Sequence, residues 1–222
     1  EAAAAGADAA EALEFDRLRL EQLLRRGKLD EGLVLAHKVL SAIGVDLPDS
    51  HASAVRKFLS QRLRLRWRGL EYRERRPDQI PPAELQRVDI LFSVSSGLSF
   101  LDTMRGKVIQ HHFLCAALDA GEPRRACNAL SQEIGYLGAG GIKNQKRIDA
   151  LSKRVREVAE RIGHPYEVGL AVATIGLGSF LLGRWRDARE SMQHGLKVMR
   201  DHGQGVRWEL DVTELFLMSS LF

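Results

Sequence analysis

Apolar residues recur at three- and four-residue spacing along most of the chain, the period of a helix packed on one side. No run of β-branched residues alternates with period two between hairpin turns, so strands are not expected. Helix formers dominate, and only six prolines interrupt them. The pattern predicts a basic helix over about Ala52 to Glu71, an apolar one over about Ala83 to Met104, and another over about Lys143 to Ile162. Loops are expected at 44–50 and 76–82, where Pro81 and Pro82 suit a helix start and exclude a helix interior. Gly163 and Pro165 are read as the stop after Ile162. The longest apolar run, Val168 to Leu182, has 15 residues and is broken by glycines and Thr174. A bilayer span needs roughly 20 apolar residues, so a buried helix is expected there.

Between helices the chain repeats one kind of hinge. In Leu182-Gly183-Arg184-Trp185-Arg186-Asp187-Ala188, Gly183 supplies a turn conformation that a Cβ resists. Trp185 is placed to fill the wedge between two helices, and Ala188 to let them approach. Ile175 and Gly176 fall on the packing face of the first helix, Met192 and Gly195 on that of the second. This layout resembles a tetratricopeptide repeat over residues 169–202, with Ser179 replacing the usual aromatic and Arg200 standing where proline often closes the unit. Similar hinges centre on Gly27 and Gly121, the latter with Pro123 at the start of the next helix. They predict helix pairs at about 10–42, 106–138 and 168–202. The expected fold is all-α: a right-handed α-solenoid of degenerate tetratricopeptide-like pairs, one domain over residues 1–222, in which pairs bury their apolar faces by stacking. Its start at Glu1 and its amphipathic end, Trp208 to Phe222, read as a piece of a longer protein.

Charge changes the picture only locally. The formal net charge is +4, which does not by itself mark a nucleic-acid protein. The concentrated feature is the stretch from Arg56 to Arg76, where arginines alternate with Leu63, Leu65 and Trp67. Its simplest reading is a helix with Phe58, Leu59, Leu63, Leu70 and Trp67 turned inward and arginines solvated or ion-paired. An acidic protein partner comes next, and phosphate contacts beside a stacking Trp67 come last. The candidate partner contacts are Arg66, Arg68, Arg73 and Arg75 for acidic groups, and Gln110 and His111 for polar ones. The expected partner is a protein or peptide, or another domain of the parent chain, with nucleic acid disfavoured and no membrane. Two cysteines, Cys115 and Cys127, make no disulfide framework, and no basic, apolar leader opens the chain; a cytoplasmic setting is expected.

Other chemistry-bearing types do not assemble into sites. His111 and Cys115 are four apart and share a helix face, but a closed zinc site needs a second pair of ligands, and His112 falls among Ile109, Phe113 and Ala116 like a core histidine. The glycine-rich Gly135 to Lys143 lacks the Lys-Ser/Thr order of a phosphate loop and reads as a connection between helices. Ser93 to Gly97 makes no nucleophile elbow, and Asp89 and Asp102 have no neighbouring carboxylate to pair with. No catalytic residue, cofactor or metal is assigned.

Several phrases together carry a wider resemblance: Trp67-Arg68-Gly69-Leu70, Ile80-Pro81-Pro82-Ala83-Glu84-Leu85, Leu101-Asp102-Thr103-Met104-Arg105-Gly106, Ala120-Gly121-Glu122-Pro123, Gly163-His164-Pro165-Tyr166 and Gly205-Val206-Arg207-Trp208. Over about residues 30–222 the chain resembles the C-terminal helical-repeat region of large bacterial serine/threonine protein kinases of the myxobacterial type, where a kinase domain and an AAA/STAND-type ATPase module precede the repeats. The resemblance implies a sensor or scaffold arm. Kinase motifs themselves are absent from this stretch, so no catalytic role carries over.

Overall fold

The computed structural model describes residues 2–202 and 205–221, with side chains from Asp8 onward. Glu1 and Phe222, on which the expectation of an excised piece draws, lie outside them. Among the described residues every regular element is helical and no strand is present. The chain divides into two compact units, residues 1–122 and 123–222.

The first unit holds α1 (Ala2–Arg25), α2 (Leu29–Ala42), α3 (His51–Arg68), α4 (Pro82–Leu101) and α5 (Thr103–Ala120). α4 is apolar on all sides and is the one the others cover: α1, α2 and α5 pack on it, while α3 packs on α5. Leu24 is the peg of the α1–α2–α4 junction. A Cβ on Gly32 would lie 2.5 Å from it and one on Gly97 2.4 Å, so glycine on both neighbours is what lets this leucine bury completely. Arg17 ties α1 to α4 by donating to Ser93 Oγ at 2.7 Å.

Two expected boundaries move. The basic helix stops at Arg68 rather than Glu71, because Gly69 adopts φ +71° and turns the chain into an irregular segment that reaches a 3-10 turn at Pro77–Gln79. The expected single helix from Ala83 to Met104 is two, since Asp102 leaves the helix and caps α5, its carboxylate accepting from Arg105 N–H at 3.1 Å and from the Arg105 guanidinium at 2.7 Å. Asp102 is therefore a helix cap.

The second unit holds α6 (Pro123–Gly138), α7 (Gln145–Ile162), α8 (Pro165–Leu181), α9 (Trp185–His202) and α10 (Arg207–Ser219). α8 contains most of the long apolar run and is packed by α6, α7, α9 and α10, as a helix apolar all round must be. No described helix is long and apolar enough to cross a membrane. α8 and α9 approach closely because small residues line the seam: a Cβ on Gly195 would fall 2.9 Å from Gly169 O and 2.9 Å from Ala173 N, and one on Gly176 3.1 Å from Ala188 O. Ile175, Ala188 and Met192 are buried there as expected. Trp185, expected inside the wedge, stays 49 % exposed and lays its ring edge-on to Phe180 at 5.1 Å. The glycine-rich stretch ends α6 at Gly138 and only then becomes a connection: Gly141 turns at φ +75°, and Asn144 Nδ2 donates to Leu137 O at 2.8 Å.

The hinge glycines Gly27, Gly121 and Gly183 all take positive φ, 73°, 76° and 76°. Within the units α1 packs with α2 and α8 with α9, α5 packs on α3 and α4, and α6 on α7 and α8; the Gly121 hinge stands at the boundary of the two units.

Candidate functional site

The candidate residues lie on α3, the segment after it and the neighbouring α5. α3 starts at Ser50, whose hydroxyl accepts from Ser53 N–H at 3.2 Å. It carries six basic residues and no acidic one. Its buried positions are Ala54, Gln61 and Leu65, with Gln61 Nε2 donating to Val108 O of α5 at 3.3 Å. The opposite side corrects the inward-facing reading of the leucines. Leu59, Leu63 and Trp67, spaced four apart, are 59 %, 60 % and 91 % exposed. Phe58 is half-buried, with the Arg62 guanidinium 5.8 Å and Lys107 Nζ 5.7 Å from its ring centre.

The arginines divide by role. Arg66 and Arg73 are exposed. Arg68 turns back on the fold, its guanidinium bonding Asp119 Oδ1 at 2.5 Å and the carbonyl of Gly69 at 3.2 Å. Arg75 donates to Gln79 O at 2.6 Å and Ala120 O at 3.5 Å, while its own backbone N–H reaches Gly121 O at 2.9 Å. Arg68 and Arg75 therefore pin the irregular segment against the end of α5. Both guanidinium groups are thus engaged by partners of the fold itself.

Gln110 is buried at 1 % exposure, which removes it as a surface contact. His111 and His112 are half-buried on α5. His111 is held down to about 4 by burial first, then by His112 and by Arg62, Arg64 and Arg68 of the facing helix. Burial likewise lowers His112 to about 4, reinforced by Lys57, Arg87 and Arg64 and opposed by Asp46. Both rings are thus neutral near pH 7. His111 Nε2 stands 3.7 Å from Cys115 Sγ, but no group of three or more metal-ligating side chains is assembled among the described residues. Burial pushes the Cys127 thiol up to about 12, with Glu167 adding to the rise and Ser131 opposing it, so it is no nucleophile at neutral pH.

In the second unit a groove runs along α8 between α7 and α9, a feature missed by hinge reasoning. Two adjoining hollows of about 350 Å³ and about 480 Å³ share Arg156, Asp187 and Ser191. Arg184 anchors one end, bonding both oxygens of Asp149 at 2.6 and 3.1 Å, which holds that carboxyl below the usual range. At the far end of α8, Glu167 is buried with Arg124 Nε at 2.9 Å and His164 Nδ1 at 2.7 Å from its carboxylate. The hollows are lined by both helices of the expected 168–202 pair, α8 and α9, and by α7, which belongs to none of the expected pairs.

Compared with known proteins, the chain matches no family model, no curated protein and no solved structure. The repeat and kinase resemblances rest on the quoted residues.

Proposed function

We propose that this chain is a helical-repeat interaction module, the sensor or scaffold arm of a signalling protein of the serine/threonine kinase–ATPase kind, and that it works by holding a peptide segment of a protein partner. The observation that carries this reading is the packing of the second unit. α8 is covered by α6, α7, α9 and α10, and the stacking leaves a long groove of mixed polar and apolar lining open beside it. A groove of this length and polarity suits an extended peptide, whose backbone groups need partners along its course. The tight αL hinge at Gly183 and the small-residue seam of α8 and α9 support the tetratricopeptide-like part of the reading.

Peptides selected by display against the whole chain test it. Ser191→Trp crowds the α9 wall that both hollows share, and Arg156→Ala removes an exposed residue of the α7 wall. Selected peptides are expected to lose about tenfold or more in affinity for Ser191→Trp and a few fold for Arg156→Ala. Unchanged binding to both variants would remove the groove from the function. The kinase context is read separately, from the reading frame upstream of Glu1. Glycine-rich-loop, His-Arg-Asp and Asp-Phe-Gly motifs followed by a phosphate loop are expected there. A DNA-binding helix-turn-helix in their place would overturn the kinase assignment and make the chain the effector domain of a regulator.

A further inference from the structure

The outward face of α3 sets exposed apolar side chains among basic ones. Successive helical residues are about 100° apart, so Leu59, Leu63 and Trp67 form one slightly oblique stripe roughly 12 Å long. The same geometry sets Arg62 and Arg66 along one edge of the stripe, Arg64 along the other, and Arg56 at its N-terminal end. Scattered single apolar side chains on a surface are ordinary, but three large ones in register, one of them a tryptophan 91 % exposed, make a contiguous patch. α3 also has its other side committed, through Ala54, Gln61 and Leu65, to α5. The stripe is therefore not a misplaced core face.

The charge around the stripe selects the occupant. Six basic residues and no acidic one lie on α3 itself, while residues 1–122 taken together carry zero formal charge. At physiological salt, charges farther away than roughly 8–10 Å are screened, so the local excess acts only on a ligand lying directly on the helix. A nucleic acid, moreover, offers no partner for two leucines. A bilayer anchor needs more apolar area than three side chains supply. From this charge complementarity we infer that the α3 face docks an amphipathic helix of a protein partner, with leucine-type residues on one side flanked by glutamate or aspartate. Helices pack with axes about 8–10 Å apart, which brings flanking carboxylates within reach of Arg56, Arg62, Arg64 and Arg66 as the apolar stripes meet. Trp67 is the anchor, since it offers the largest area to desolvate. The inference rests on reading the chain as an interaction module, but it uses a different surface from the groove along α8.

The test uses the whole chain and a synthetic helix of about 16 residues with leucines on one face and glutamates beside them. Its controls are the same leucines flanked by lysines, the same glutamates with serine for leucine, phosphatidylserine vesicles and a short DNA duplex. Binding is followed by tryptophan emission, with Trp67→Phe isolating the signal of residue 67 from those of Trp185 and Trp208. The acidic leucine helix is expected to bind with a blue shift of Trp67, and to weaken several fold between about 50 mM and about 300 mM salt. Leu63→Gln and the double reversal Arg56→Glu with Arg66→Glu should each lose about tenfold or more, with the helical signal intact because all three positions are exposed. If Leu63→Gln disturbs folding, the arginine pair decides. Equal binding of the lysine helix, full affinity in the arginine variant, or saturation by vesicles or duplex without binding of the acidic helix would each overturn the inference. Loss of this binding alone, with groove-selected peptides still captured, sinks the α3 site and leaves the interaction-module reading standing.

Discussion

Gly27 and Gly121 have nearly the same backbone, φ +73° and +76°, yet they sit in different surroundings. A Cβ on Gly27 meets nothing within 4 Å, whereas one on Gly121 would lie 2.1 Å from the carbonyl oxygen of Arg73. The left-handed conformation alone costs a non-glycine residue about 1 kcal/mol. At Gly121 the obstacle is backbone, held in place by the Arg75 N–H bond to Gly121 O, and it has little room to yield. Gly27→Ala is therefore expected to lose about 1 kcal/mol in urea unfolding, and Gly121→Ala at least about 3 kcal/mol. Equal losses would mean that the 69–76 segment moves freely. The hinge glycines were legible in the sequence because only glycine takes these angles without strain. The fate of Arg68 and Arg75 was not, because their partners, Asp119 and Ala120, are 51 and 45 residues away.

Among the elements, the helices follow from composition and period, but α3 shows what period alone leaves open. Its alternation of leucine and arginine gives two weak apolar edges, one through Leu59, Leu63 and Trp67, the other through Ala54, Phe58 and Leu65. Contact with α5 chose the second, and Leu59, Leu63 and Trp67, expected inside, came out exposed. The α8–α9 seam is the opposite case, since its glycines and Ala188 announced a close approach that the structure has. Gly195→Ala should destabilise the second unit by about 1–3 kcal/mol, although alanine is the better helix former by roughly 1 kcal/mol, because the added methyl meets Gly169 O and Ala173 N rather than a movable side chain. Denaturant unfolding of the variant checks this, and a gain in stability would show that the two helices can slide apart.

At the scale of the molecule, the +4 net charge says less than its placement. The first unit sums to zero but gathers six basic residues on one helix. The same clustering acts on α5, where Lys57, Arg62, Arg64 and Arg68 of α3, with Arg87 of α4, face the histidine pair and Asp46 opposes them at His112. His111 and His112 titrate near 4 when folded and near 6.5 when unfolded, so the unfolded chain takes up their protons first. Stability is whole above pH 6.5 and is lost as pH falls from there towards 4. Both rings are half-buried, so solvent screening holds the summed loss to about 1–2 kcal/mol. Thermal melts across this window should show the decline, and His111→Gln with His112→Gln should flatten it. An unchanged slope in the double variant would place the acid sensitivity elsewhere.

By itself the sequence determined that the chain is helical, where αL glycines break it at 27, 121, 163 and 183, and that α8 is an interior helix. These are local consequences of propensity, backbone freedom and unbroken apolarity. Tertiary structure alone decided that the Gly121 hinge stands at the boundary of two compact units. It also decided which arginines are spent inside the fold, and that the apolar edge of α3 faces outward. Those outcomes depend on which faces meet across long stretches of chain, and a helical period names a face without naming its partner.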